Sequence, residues 1–526
     1  MSLAEVIEEH ARRRPQQVAF REGGRCLRWA EYHQRSERLA ALLVQRGLLP
    51  GDRVAVLLPD GPGVHVAYVA CEKAGLVVVG IGARAGASEV RHLIRRSGAR
   101  GLLSPPRQRH LDLVALTREL REEGAALEHP LLAPRLLEEG DPLLQEAAEL
   151  PAVPRSRWRK SHEIFLLNST SGITGLPKCV VHDQARWEHF HSLALEAGEL
   201  GPADVFMSVL PAPFGFGLWT AHFTPTLLGA PTVLMERFDA DEAIRRLAEH
   251  RVSVLAAVTT QFLMMLASPE LERQDLSRLR LLFTGGEAVP AERAAEFEAR
   301  TGARVLQFYG SNETGALSHT TLRDPPEVRL HSCGRVIPSM QVRLFDGPED
   351  EGRPSGEGQP GCKGPLLSRG YWEDPEANRA LFTRGGWMLT GDIARIDEAG
   401  VLRVVGRAAD FIIRGGKNIS APAVEAAVAS HPAVALAAAV PLPDPVFGER
   451  VCVFVELRRG QPSLDHTELV HFLEQQGISR EWLPERLVVL EALPRSSGGK
   501  VAKAELRRRA REGLLRPGAG RPAPPG

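Results

Sequence analysis

Between Ser169 and Lys178 the chain reads STSGITGLPK, small hydroxyl residues and glycines closing on a single lysine. Loops of this composition wrap backbone N–H groups and a cation around a phosphate. Thr170, Ser171 and Thr174 can donate hydroxyls, Gly172 and Gly175 let the backbone approach, and Lys178 offers charge. A Walker A loop needs Gly-Lys-Ser/Thr so that the hydroxyl after the lysine reaches magnesium. Here Pro177 precedes the lysine and Cys179 follows it, which excludes that class. Five more glycine-containing turns follow: TGGEAVP (284–290), QFYGSNETG (307–315), LTGDIARID (389–397), GRAADFIIRGGKN (406–418) and PRSSGGK (494–500). Only seven of the 65 basic residues are lysine, and three of them, Lys178, Lys417 and Lys500, sit in these loops. A compact point charge on a flexible stem does something there that a planar guanidinium does not.

In order and separation these motifs resemble those of the adenylate-forming enzymes, the superfamily of acyl-CoA synthetases, standalone adenylation domains and luciferases. The resemblance covers nearly the whole chain. It implies ATP-dependent activation of a carboxylate to an acyl adenylate, followed by transfer to a thiol, an acid:thiol ligase reaction using ATP, Mg2+ and coenzyme A or the phosphopantetheine arm of a carrier protein. By resemblance the 169–178 loop grips the pyrophosphate end of ATP, with Ile173 standing where the family usually has a hydroxyl. Tyr309 would face the adenine and Glu313 would hold magnesium, a hard cation that wants carboxylate oxygen. Asn312 replaces the commoner threonine and can still donate to the α-phosphate. Gly285, Gly286 and Glu287 would form the other wall of the adenine slot, and Asp392 and Arg407 would bind the ribose. Asp410 falls at the family's hinge. Lys500 matches the lysine that bridges carboxylate and α-phosphate in the adenylating state, and Gly415, Gly416 and Lys417 would face the site when the thiol arm enters.

The segment LPAPFGFGLWTAHF (210–223) aligns with the family stretch that builds the acid pocket, with Gly310 beside it. Many members carry histidine where this chain has Phe214, followed here by Gly215. Residues 210–223 contain neither Asp nor Glu, so an ammonium would find no partner in them, and an apolar acid (aryl, alicyclic or medium-chain) is expected. Trp219 reads equally well as pocket or as core. The acceptor stays open between coenzyme A and a carrier protein. A non-catalytic binding relative is disfavoured by the joint presence of Lys500, Glu313 and Asp392.

The elements that must position these residues alternate between apolar runs and amphipathic stretches over 16–105 (QVAFRE, RVAVLLPD, VVVGIGARA) and again from DVFMSVL to ARVLQFYG, which predicts an α/β domain with largely parallel, covered sheet. Residues 106–160 are expected to wrap the surface. A turn-rich region near 350 leads to β-hairpins, and a smaller, mobile α+β domain follows. The expected boundaries are 1–409, 410–513 and a Pro/Gly-rich disordered tail at 514–526. Zero formal net charge gives no global attraction to nucleic acid, and the longest apolar run, VSVLAAV (252–258), is far shorter than the roughly 20 residues of a membrane span. A cytoplasmic monomer or homodimer is the expectation. The six scattered cysteines have no metal-ligand spacing and predict buried thiols.

Overall fold

A computed structural model describes residues 1–515 except 110, 134–139, 170–176, 288, 348, 408–410, 415–416, 445, 462, 477, 479–481 and 497–499. Of residues 407, 411, 413, 417, 418 and 513–515 it describes the backbone alone. The chain divides into two units, one of Met1–Gly356, Pro360–Thr390 and Ile396–Arg403, the other of Glu357–Gln359, Gly391–Arg395 and Val404–Gly526. The expected boundary at 409/410 lies outside the described residues.

In the first unit, short buried strands rich in Val and Leu form two sheets. The six-stranded sheet runs in the order Cys179–Asp183, Ile164–Ser169, Val77–Gly80, Arg53–Val56, Gly101–Ser104, His129–Leu132. All its pairs are parallel except the hairpin of the first two. The helices Pro62–Lys73 and Ala87–Ser97 are the crossovers that parallel strands require. Two expectations shift here. QVAFRE leaves this set, because Val18–Glu22 pairs with Thr232–Leu234 in the other sheet. The stretch 106–160, expected only to wrap the surface, supplies the helix Leu113–Glu122 and the edge strand His129–Leu132. Pro130 weakens the strand signal in sequence, but an edge strand tolerates a missing N–H donor.

The nine-stranded sheet has the order Arg335–Val336, Gly315–His319, Arg304–Ser311, Leu281–Gly285, Val254–Ala256, Phe206–Ser208, Thr232–Leu234, Val18–Glu22, Arg25–Arg28. Its six central strands are parallel, so the carboxyl ends of Phe206–Ser208, Val254–Ala256, Leu281–Gly285 and Arg304–Ser311 lie side by side. Ligands of open α/β sheets bind in such crevices. Phe20, Trp29, Tyr32, Phe206, Phe223 and Phe283 are among the fully buried side chains of its core.

The second unit is α+β. Lys417–Ser420, Phe411–Arg414, Gly448–Leu457 and Val434–Asp444 form an antiparallel ribbon, Arg486–Leu490 adds a parallel strand, and the helices Ala421–Ala429, His466–Gln475 and Lys503–Leu515 accompany it. The last helix carries residues 514–515 of the expected tail; 516–526 lie outside the described residues. Among the described residues no helix is long and apolar enough to cross a membrane. Cys71, Cys179, Cys362 and Cys452 are buried thiols, as expected, whereas Cys26 is exposed and Cys333 half-exposed.

Candidate active site

Two of the turns singled out in the sequence, TGGEAVP and QFYGSNETG, begin at the carboxyl ends of the adjacent parallel strands Leu281–Gly285 and Arg304–Ser311. Gly285 ends one strand in register with Phe308 of the next, so the glycine pair and Tyr309 are neighbours. A Cβ on Gly285 would stand 2.3 Å from the Phe308 carbonyl oxygen, so no side chain fits there, and Gly286 adopts φ +75°, the left-handed region that favours glycine. Glu287 turns aside, its carboxylate accepting from both the N–H (3.3 Å) and the hydroxyl (3.1 Å) of Thr260. Gly310 is equally confined: a Cβ there would lie 1.7 Å from the Gly315 carbonyl oxygen. Of the phosphate loop, Thr170, Ser171, Gly172, Ile173, Thr174 and Gly175 lie outside the described residues, as do Asp410, Gly415 and Gly416. The strands flanking the loop are an antiparallel hairpin, Ile164–Ser169 with Cys179–Asp183, which brings exposed Lys178 back beside the strand that enters it.

Lys178 has a partner that the sequence did not reveal. Residues 369–372 run along Cys179–Asp183, with Val181 N–H donating to the Gly370 carbonyl (2.9 Å), Arg369 N–H to the Val181 carbonyl (3.1 Å) and Trp372 N–H to the Cys179 carbonyl (2.8 Å). That pairing sets the Tyr371 ring 4.8 Å from the Lys178 ammonium and lets the Tyr371 hydroxyl donate to Glu313 Oε1 at 2.8 Å. Burial, and then the facing Glu313 carboxylate, hold the phenol far above its ordinary range, so it stays a donor. The Ser368 N–H donates to the Glu313 carbonyl at 2.7 Å and fixes the turn. Tyrosine is scarcer still than lysine, four in the chain against seven, and two of the four, Tyr309 and Tyr371, lie beside these turns; that scarcity was the missed signal.

Asn312, next to Glu313, is fully engaged. Its Oδ1 accepts from Gly215 N–H (3.1 Å) and from Asn168 Nδ2 (3.2 Å), and its Nδ2 donates to Asn168 Oδ1 (3.2 Å) and the Ser169 carbonyl (3.3 Å). A Cβ on Gly215 would meet Asn312 Oδ1 at 2.7 Å, so glycine is what lets that amide in. The segment that follows winds as a π-helix over Leu218–Phe223, a form often found at functional sites. Phe214 and Phe216 are half-buried. Trp219, by contrast, is core: 3% exposed, it packs against Phe190, Phe283 and Phe308 at ring distances of 5.0 to 5.3 Å. Leu210, Ala256 and Val258, with Phe216 against them, form a small apolar cluster apart from the main cores.

In the second unit, Asp392 opens the strand Asp392–Ile396 and is buried, Arg407 ends Leu402–Arg407, and Lys417 begins Lys417–Ser420. The Lys500 carbonyl accepts from the Ser496 N–H at 2.7 Å.

Magnesium usually takes one or two protein carboxylates and completes its shell with water and substrate phosphates. Glu313, one carboxylate whose Oε1 is steadied by Tyr371, fits that demand.

Known proteins resemble this chain along most of its length. The AMP-binding enzyme family matches residues 7–372, and the AMP-binding enzyme C-terminal domain matches 423–500. A medium-chain fatty-acid–CoA ligase of Escherichia coli is 30% identical over 96% of this chain and 90% of its own. A salicyl-AMP ligase/salicyl-S-ArCP synthetase of Mycobacterium tuberculosis is 32% identical over 95% of this chain and 89% of its own. The crystal structure of ATP-bound MatB from Rhodopseudomonas palustris superposes with a TM-score of 0.83 at 26% identity, covering 96% of this chain and 98% of that one. The glycine-rich strand ends and the carboxylate beside them are thus set in a chain that belongs to the AMP-binding, adenylate-forming enzymes, of acyl-CoA synthetase type.

Proposed function

We propose that this ligase joins an apolar, uncharged carboxylic acid to coenzyme A through an acyl adenylate. A carboxylate oxygen attacks the α-phosphorus of ATP and pyrophosphate leaves; the thiol then attacks the acyl carbon and AMP leaves. Oxide is a poor leaving group and AMP a good one, which is why activation precedes transfer. Lys178 and the loop before it are suited to the departing pyrophosphate, Tyr309 with Gly285 and Gly286 to the adenine, Asp392 and Arg407 to the ribose, and Lys500 to charge developing at the α-phosphate. Glu313 would hold magnesium, which would supply positive charge to offset that of the ATP phosphates. The cytoplasm supplies both ATP and coenzyme A, which supports that location for the enzyme.

The acid class rests on the apolar cluster of Leu210, Ala256, Val258 and Phe216 at the strand ends. Asp60, from the loop after Arg53–Val56, accepts the Ala212 N–H at 3.1 Å, and burial pushes its carboxyl up to about 6. Coenzyme A is preferred over a carrier protein because Phe447, 37% exposed, lies between the guanidinium groups of Arg414 (4.8 Å) and Arg450 (5.2 Å). Guanidinium groups over an exposed ring suit the charged nucleotide portion of coenzyme A, which a carrier's phosphopantetheine arm lacks.

Pyrophosphate release over a panel of free acids, with and without coenzyme A, tests both choices. Benzoate, cyclohexanecarboxylate or octanoate should exceed every proteinogenic amino acid, and acyl-CoA should accumulate when coenzyme A is present. An amino acid at the top of the panel overturns the pocket reading, and adenylate formation without acyl-CoA favours the carrier protein.

A further inference from the structure

The amide of Asn312 lies inside a chain of hydrogen bonds whose every donor and acceptor is determined. Arg186 is 3% exposed, stacks on Trp187 at 5.0 Å, and donates from Nη1 to His182 Nδ1 (2.8 Å) and to the Asn312 carbonyl (3.0 Å). A guanidinium can only donate, so His182 Nδ1 must accept and the imidazole proton sits on Nε2. Burial, followed by the Arg186 charge, keeps that imidazole neutral. His182 Nε2–H then donates to Asn168 Oδ1 at 2.7 Å, which settles which way the Asn168 amide faces. Its Nδ2 is thereby aimed at the Pro213 carbonyl (2.8 Å) and at Asn312 Oδ1, and the two asparagines close a reciprocal pair. Asn312 Oδ1 is left facing the Gly215 N–H. One buried charge thus dictates, through two amides, where the Pro213–Gly215 backbone stands relative to Ser169 and Glu313.

We infer that Asn312 is a positioning residue for the acid pocket, acting with Asn168 to hold the Pro213–Gly215 backbone, and not a ligand of the α-phosphate. Both donors of its amide are occupied by Asn168 and Ser169, so a phosphate contact would require breaking the pair. A threonine at 312 has one donor and a shorter reach, and could not span Asn168 and Gly215 together. Asparagine at 312 is therefore matched to asparagine at 168. The inference rests on the acid-activating function proposed above.

The test uses the full-length variants Asn312→Thr, Asn168→Ser and their double combination, with benzoate and octanoate as probe acids and pyrophosphate release as the assay. Each single variant should raise the acid KM about tenfold while the ATP KM and kcat move less than about threefold, the pattern of a lost ground-state positioning contact. The double variant should be no worse than the poorer single one, since both break one link. Calorimetric affinity for a non-hydrolysable ATP analogue should be unchanged in Asn312→Thr. Weakening of that affinity by about tenfold, or a fall in kcat with the acid KM unmoved, overturns the inference and restores the phosphate role. If Asn312→Thr fails to fold, Asn312→Ser is read by the same criteria. Should wild-type enzyme turn over neither acid, the proposed acid class falls, while the ATP-analogue affinity still decides the role of Asn312.

Discussion

Lysine is rare in this chain, and the structure gives a reason for one that the motifs did not explain. Lys73 is fully buried, and its ammonium meets the His33 carbonyl (3.1 Å), His33 Nδ1 (3.1 Å) and Ser36 Oγ (2.9 Å) with the Trp158 ring 5.3 Å away; burial pulls its pKa down to about 8. Three donors on a compact head match that set, which a planar fork would not. The same economy holds for Tyr371, whose ring and hydroxyl face different partners, Lys178 and Glu313. The two contacts can be separated by substitution. Tyr371→Phe keeps the ring and loses the hydrogen bond to a carboxylate, a contact of about 1.5–3 kcal/mol, so the Mg2+ concentration for half-maximal pyrophosphate release should rise about tenfold or more. Tyr371→Leu also loses the cation–ring contact and should raise the ATP KM further. A Mg2+ titration and an ATP titration of both variants check this; equal Mg2+ curves for wild type and Tyr371→Phe would refute the link to Glu313.

At the scale of elements, the first helix shows how a buried carboxyl can serve as a docking point. Leu3–Arg13 is capped by Ser2 and Glu5, but its first N–H groups point inward: Ala4 N–H donates to Glu72 Oε1 (3.0 Å) and Leu3 N–H to Gln184 Oε1 (3.0 Å). Glu72 is 3% exposed, and burial pushes its pKa up to about 7 despite these hydrogen bonds and Lys73 next to it. A carboxyl whose folded pKa is raised favours the folded state at low pH. That contribution is complete below the unfolded value near 4.5 and is lost as pH rises through about 7. The loss is on the order of 3 kcal/mol. Glu72→Gln keeps an oxygen for Ala4 and cannot ionise, so its Tm relative to wild type should climb between pH 5 and pH 8. Parallel Tm curves across that range would show that Glu72 carries no proton in the folded state.

For the whole molecule, the expected chemistry is divided between the units: Tyr309, Asn312, Glu313 and Lys178 belong to the first, Asp392 and Lys500 to the second. Lys500→Ala should abolish adenylate formation, at a cost of about 3 kcal/mol or more in the transition state, while thioester formation from a supplied acyl adenylate survives. Single-turnover assays of each half-reaction decide it, and an equal fall in both would end the two-state role of this lysine. The order of the motifs, the glycines at 285, 286 and 310, and the lack of acidic residues in 210–223 were legible in the sequence, because each is a local demand written in residue type: a positive φ, a close backbone approach, a charge or its absence. Strand order was not, since Val18–Glu22 and Phe206–Ser208 take their neighbours from the burial of the whole core. Nor were the pairings that follow from strand order: Tyr371 lies 58 residues from Glu313 and Asn168 lies 144 from Asn312. No local pattern encodes such a meeting. It is decided when the hairpin at Lys178, the strand end at Ser311 and the loop at Gly215 are packed together, and only then do the side chains acquire the partners that give them their roles.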